Sequence, residues 1–229
     1  MARKRKARAA PLSRDEVVRV AVTVADAGGI DALSMRALAR RLSVAPMALY
    51  KHVENKEDLL DDMIDVVFAE VGFPLDGTGW RTAMRQRAMA MREALLRHPW
   101  AIGLMESRSR PGPANLQHHN AVMGCLREAG FSFMMAIRAY NTMDSYIYGS
   151  LLQQRNLPFE TPEESADLVA EIMASTSLAE EYPYLAEVVV ELAKRGYDYR
   201  EAYESGLDLI LDGIERLGQQ QQGASTGSA

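Results

Sequence analysis

Residues 34–60 read SMRALARRLSVAPMALYKHVENKEDLL, two short apolar-periodic segments around a break. Ser34 is placed to cap a helix that buries Leu38, Ala39 and Leu42, because a serine hydroxyl just ahead of the first periodic residue satisfies an orphan amide. The pattern breaks near Ser43-Val44-Ala45, and Pro46 fits the first position of a new helix, where its missing N–H is no loss. Leu49 and Val53, four residues apart, point inward from that helix. It is barely two turns long, whereas isolated helices need roughly 12 to 15 residues to be even marginal in water. Its neighbours must therefore hold it. Two short helices joined by a tight turn and packed through Leu38, Leu42, Leu49 and Val53 describe a helix-turn-helix.

Upstream, Ser13 to Ala27 carries Val17, Val20, Ala21, Val24 and Ala25 at helical spacing, Ser13-Arg14-Asp15-Glu16 reads as a capping box, and Gly28-Gly29 ends the helix. Downstream, Asn55 with Asp58 predicts the cap of a fourth helix that buries Leu59, Leu60, Met63, Val66 and Val67. GFPLDGTG at 72–79 is the clearest break. The expected organisation is a basic arm (1–12), a helix-turn-helix domain (13–73), a larger helical domain (74–217) and a disordered polar tail (218–229). Helical patterns cover 80–97, 99–105, 114–129, 132–154, 161–174, 184–195 and 199–217, and the run VVV at 188–190 lies inside one of them. The fold class is all-α.

Among 229 residues, 48% are apolar, yet no run approaches the roughly 18 that a membrane span needs. The basic N-terminus lacks the apolar stretch of a signal peptide, and the single cysteine, Cys125, rules out an internal disulfide and suits a reducing compartment. A cytoplasmic protein with no membrane partner is expected. The net charge of −5 conceals a division: residues 1–56 hold twelve Lys and Arg against five Asp and Glu, so this segment carries +7 and the rest of the chain −12. A cationic segment that coincides with a helix-turn-helix is the electrostatic footprint of a nucleic-acid surface; the bland reading is a solvated charge cluster on a small helical core.

In a major groove, the solvent face of the second helix offers Met47, Ala48, Lys51 and His52. Met47 or Ala48 can touch a thymine methyl, while Tyr50, Lys51 and Lys56 reach phosphates, which fix register without reading sequence. Arg36 can meet a base or a phosphate, and the arm with Arg3, Lys4, Arg5, Lys6 and Arg8 can track the backbone or enter a minor groove.

GIDALSMRALARRLSVAPMALYKHVENKEDLLDDM resembles the DNA-binding domain of the tetracycline-repressor (TetR) family of bacterial transcriptional regulators, a resemblance that runs from about Ser13 to Phe68. It implies that Pro46, Met47, Ala48, Tyr50, Lys51 and His52 lie on the recognition helix, with Ser34, Arg36 and Lys56 beside it. Family members often carry Ser, Thr or Gln where this chain has Pro46, Met47 and Ala48, so hydrogen-bond readout there is sparse. LLRHPW, SRPGP, LREAGFS and SGLDLILDGIERL are similar to the family's C-terminal domains, which implies an all-helical domain that encloses a small-molecule pocket and dimerises through its last long helices.

The residues support a homodimer independently. Tyr203, Leu207, Ile210, Ile214 and Leu217 form one stripe, and Gly206 and Gly213 allow close approach of another helix. A two-fold dimer presents its recognition helices about one DNA turn apart, roughly 34 to 36 Å. The Met- and aromatic-rich stretches offer Met91, Trp100, Met105, His119 and Met123 as pocket candidates, together with Tyr140, Asp144 and Tyr148 on one helical face. Adjacent His118 and His119 point about 100° apart on a helix and do not chelate one ion together, so no metal and no cofactor is expected. The tetracycline repressor uses a histidine in the region corresponding to 101–109; this chain has none there, and tetracycline is not its expected inducer. No catalytic constellation appears. The expected function is a repressor released from palindromic double-stranded operator DNA by a small molecule; the alternative is a ligand-independent or architectural DNA-binding protein.

Overall fold

The computed structural model describes residues 12–72, 78–108, 110–175 and 178–226, with side chains for all of these except 172–175, 178, 179 and 222–226. The basic arm, with Arg3, Lys4, Arg5, Lys6 and Arg8, lies outside the described residues, as does most of the predicted 72–79 break. Eleven α-helices are present among the described residues, and no strand. They are α1 (Arg14–Gly28), α2 (Met35–Arg41), α3 (Pro46–Leu49), α4 (Lys56–Val71), α5 (Trp80–Arg97), α6 (Pro113–Glu128), α7 (Phe133–Asn156), α8 (Pro162–Ser175), α9 (Leu178–Glu181), α10 (Pro183–Arg195) and α11 (Tyr199–Thr226). Short 3₁₀ turns occupy Ile30–Ala32 and Pro99–Ala101.

The chain forms two compact units: residues 1–75 with 89–122, and residues 76–88 with 123–229. The first unit therefore holds more than the helix-turn-helix, because the second half of α5 and the first half of α6 pack with it. Its core is built from Val17, Ala21, Leu33, Leu38, Leu49, Leu59, Met63, Ile64 and Val67, all nearly inaccessible to water. Asp65 on α4 accepts the N–H groups of Ala114 (3.3 Å) and Asn115 (2.8 Å), two orphan donors in the first turn of α6. Its carboxyl fills the space that a side chain at residue 112 would need, which explains Gly112.

In the second unit, α5 lies along α11 through two ion-paired arginines, Arg81 with Asp212 (2.6 Å) and Arg85 with Glu204 (2.9 Å) and Asp208 (3.2 Å). Tyr203 on α11 donates from its hydroxyl to Ala88 O on α5 (2.9 Å). Its ring stacks on Tyr146 of α7, whose hydroxyl donates to Tyr203 O (2.8 Å). A side chain at Gly206 would collide with the Tyr146 hydroxyl, so that glycine is what lets α7 and α11 approach. α8 and α10 pack through Val169, Ala186 and Val189.

Four expectations are corrected. The helix after Pro46 is a single turn, Pro46–Leu49; Tyr50 to His52 continue as turns in which His52 N–H bonds Leu49 O at 2.8 Å. The helix expected over 99–105 is a 3₁₀ turn at Pro99–Ala101 followed by turns. A one-turn helix, α9, was not expected. The tail expected to be disordered from Gly218 is helical to Thr226. Gln is a good helix former, and packing reaches beyond Leu217: Gly218 abuts the Phe131 ring, and Gln221 Oε1 accepts Ser132 Oγ–H at 2.7 Å.

Candidate nucleic-acid interface and effector region

Local chemistry sets each end of the reading helices. Ser34 Oγ accepts Ala37 N–H (3.2 Å) and starts α2; Asn55 Oδ1 accepts Asp58 N–H (2.9 Å) and starts α4. α2 ends in a Schellman motif, with Val44 N–H bonded to Ala39 O and Ser43 N–H to Arg40 O. That motif needs a left-handed residue, and Ser43 supplies it at φ 56°. A serine there stores strain that glycine does not. Ser43→Gly is therefore expected to raise the denaturant midpoint, by about 0.5–1 kcal/mol of stability, and an unchanged or lower midpoint in urea would remove the strain.

α3 is held from below by Leu49 and Val53, both fully buried. At its far end, Arg14 of α1 donates to His52 O (2.9 Å) while its other nitrogens bond Asp62 (2.7 Å) and Asp58 (2.8 Å) on α4. These hydrogen bonds, from Asp62 first and then Asp58, raise the Arg14 pKa, and Arg14 in turn holds the Asp58 carboxyl below the ordinary carboxylate range. A carboxylate so depressed adds stability that is fully present above its unfolded pKa near ~3.9 and is lost as pH falls through the lower folded value. Arg14 is consumed in this clamp and ties the segment after α3 to α1 and α4.

What remains exposed is the face that the sequence predicts. Met47 is 74% accessible, Ser34, Arg36, Pro46, Tyr50, Lys51 and Lys56 are exposed, and Ala48 and His52 are half-buried. Arg40 and Arg41, in the last turn of α2, are exposed as well and were missed by the sequence reading, although their position beside the turn was visible. The face is a small apolar tip, Met47 and Ala48, flanked by cations.

The pocket candidates divide between the two units. In the first, Met91 and Met105 are buried, and His119 is half-buried with Nδ1 2.9 Å from Asn115 O and its ring against Phe68. Trp100 is an anchor in place of a pocket wall, since its indole N–H donates to Asp26 Oδ1 on α1 at 2.7 Å. His118 Nδ1 lies 3.2 Å from Gly72 O, and its ring stands edge-on to that of His119, 6.0 Å between centres, with both rings against Phe68. No cluster of three or more His, Cys, Asp or Glu fit to hold a metal occurs among the described residues.

In the second unit, Tyr140 and Asp144 converge on a residue that the sequence reading missed, Arg87 of α5. Its Nη2 lies 2.6 Å from Asp144 Oδ1, and its guanidinium sits 5.0 Å from the Tyr140 ring centre. The two charged side chains are 0% and 6% exposed. The signal was present: Arg87 falls on the apolar stripe of Met84, Ala88, Met91 and Leu95. Met123 and Tyr148 are half-buried in the same unit.

The stripe expected to pair two protomers is split. Tyr203, Leu207 and Ile214 are buried inside the chain's own second unit, and Gly206 is closed by Tyr146, so these residues do not form an outward face. Ile210, Gly213 and Leu217 instead line an open apolar cleft of about 420 Å³ with Met134, Met135 and Ala139 of α7. Phe133, Leu209 and Leu217 stand exposed on the same two helices.

Residues 17–63 match the family model described as bacterial regulatory proteins, tetR family, and residues 73–217 match the tetracyclin repressor-like C-terminal domain. An HTH-type transcriptional regulator of Saccharopolyspora erythraea is 31% identical over 204 residues, covering 89% of this chain and 84% of that one. The HTH-type transcriptional repressor DrrR1 of Streptomyces coeruleorubidus is 31% identical over 226 residues, covering 93% and 81%. Among solved structures, ActR of Streptomyces coelicolor in complex with actinorhodin superposes with a TM-score of 0.78 at 27% identity, covering 91% of this chain and 98% of that one.

Proposed function

This chain belongs to the tetR family of bacterial regulatory proteins, and from that premise we propose that it is a homodimeric repressor released from a palindromic operator by a small molecule. It is a DNA-binding transcriptional regulator with the family's effector domain. The observation that carries the reading is the exposed face of Met47, Tyr50 and Lys51 on a one-turn helix held from below by Leu49 and Val53 and at its far end by Arg14, with Arg36 and Lys56 beside it. A clamped helix meets DNA without first ordering itself.

Lys51, Lys56, Tyr50 and Arg36 take phosphates; Met47 and Ala48 make apolar contacts in the major groove. Specificity then rests on thymine methyls and DNA shape more than on bidentate hydrogen bonds. The protomers pair through the α7–α11 cleft, and the effector enters the C-terminal domain, as actinorhodin is bound by the structural neighbour. An effector acts to the extent that it prefers the state with the wrong helix spacing. Relatives are regulators, and no catalytic step is assigned to this chain. No helix among the described residues is long and apolar enough to cross a membrane, and the protein works where the chromosome is, in the cytoplasm.

Selection of bound duplexes from a random DNA library, at fixed moderate salt and without effector, tests the reading. An inverted repeat is expected; salt-sensitive binding with no motif overturns it in favour of an architectural protein. On the selected operator, Lys56→Ala is expected to weaken binding on every sequence alike and to flatten the salt slope by about one unit. An unchanged slope takes Lys56 off the phosphates.

A further inference from the structure

α5 ends at Arg97, and the next side chain, His98, is buried between two carboxylates of the DNA-binding helices. Nδ1 lies 2.7 Å from Asp26 Oδ1 on α1, and Nε2 lies 3.2 Å from Glu70 Oε2 on α4. Each carboxylate has a second donor from the same stretch: Trp100 Nε1–H to Asp26 at 2.7 Å, and Arg97 Nη2–H to Glu70 at 2.8 Å. One imidazole thus joins α1, α4 and the end of α5. A neutral imidazole has a single N–H, so it satisfies one carboxylate and turns a lone pair toward the other; an imidazolium donates to both. The ring borders a cleft of about 620 Å³ between α1 and α4, which gives water and protons access.

We propose that His98 is a proton-operated latch that fixes α1 and α4 to the end of α5, closed on both sides as imidazolium and released on one side as neutral imidazole, so that operator affinity depends on pH. The charged groups around it are Asp26 from α1, Glu70 and Asp65 from α4 and Arg97 from its own strand of chain, with Arg14, Asp15, Arg19 and Asp62 farther along the cleft. Asp65 is engaged by the start of α6, and Arg14 and Asp62 by each other. Asp26 and Glu70 are therefore the carboxylates that the ring holds directly. Their release frees the two helices that carry α2 and α3, which reduces the pre-organisation of the reading surface. His98 is a positioning residue: it touches no DNA. The effect on affinity rests on the DNA-binding reading above; the latch itself does not.

The test compares the full-length protein with His98→Gln, whose amide keeps one donor and does not titrate. His52 is common to both and contributes equally to each pH profile. On the selected operator, wild type is expected to bind about tenfold more tightly at pH 6 than at pH 8 relative to the variant, the change that one charge-assisted hydrogen bond brings. At pH 8 the two converge. Hydrogen–deuterium exchange, corrected for the intrinsic chemical rate, reads the latch without DNA: the C-terminal turns of α1 and α4 are expected to be more protected in wild type at pH 6 and alike in both proteins at pH 8. Parallel profiles in exchange overturn the latch. The expected exchange difference without any selected operator, or with parallel affinity profiles, leaves the latch standing and overturns its link to DNA binding.

Discussion

Asp144→Ala is expected to lower the unfolding free energy by about 3–5 kcal/mol, whereas the double variant Arg87→Met with Asp144→Leu recovers most of that loss. The first change removes the carboxylate that lies 2.6 Å from a guanidinium that is 0% exposed and 5.0 Å from an aromatic ring centre. A buried charge without its counter-ion costs several kcal/mol, far more than an exposed pair contributes. The double change replaces both charges by apolar groups of similar volume on α5 and α7, helices on which Met84, Ala88 and Met143 of the same unit are already buried. At about 2–4 °C per kcal/mol for a chain of this size, the single variant should melt roughly 10 °C lower. Calorimetry on the three proteins decides. If the single variant melts within a degree or two of wild type, water reaches the pair; if the double variant is no better than the single, Tyr140 and its neighbours need the guanidinium itself. Recovery in the double variant matters for function, because a charge pair that stability does not require is retained for what it binds.

The parts of this molecule that were readable from sequence are those fixed within a few residues. Ser13, Ser34, Asn55 and Ser132 each accept the N–H three residues on, and the corresponding helix starts were read to within a residue. Pro46 at a helix start and Gly29 after α1 are likewise local. The exposed face of α3 was legible because burial of Leu49 and Val53 leaves only one way for Met47, Tyr50 and Lys51 to point. What failed depends on partners distant in sequence. The stripe of Tyr203, Leu207 and Ile214 is apolar, and periodicity cannot say whether α5 and α7 of the same chain or another copy covers it; Ala88 and Tyr146 settle it. Trp100 reads as pocket lining until Asp26, 74 residues away, is found on its indole N–H. The polar tail reads as disordered because its anchors, Phe131 and Ser132, lie nearly 90 residues upstream. Arg87 shows the opposite error, since a charge on an apolar stripe was visible and its counter-ion was among the candidates.

With part of the stripe buried, the α7–α11 cleft is the dimer seam proposed above, and its sharpest test is Gly213→Glu. An added Cβ at residue 213 meets nothing within 4 Å in its own chain, so the folded protomer accepts the side chain. Glutamate is also favoured over glycine inside a helix, by roughly 0.5–1 kcal/mol, and α11 runs on for thirteen residues beyond it. The protomer's own melting point should therefore stay level or rise slightly. In a two-fold dimer the same substitution enters the seam twice, and each carboxylate faces Met134, Met135, Ala139 and Leu217 with no cation to match it except Arg138 at the edge. Association should fail at concentrations where wild type is dimeric. Operator affinity should then fall at least about 100-fold, because a second half-site held in one molecule binds at a high effective concentration and a separate protomer does not. Sedimentation velocity and operator titration on the same preparation separate the outcomes. A variant that stays dimeric with full affinity places the seam on another surface. A variant that is monomeric yet binds its operator as before removes two-fold reading of a palindrome, and with it the need for the effector domain to set the distance between recognition helices.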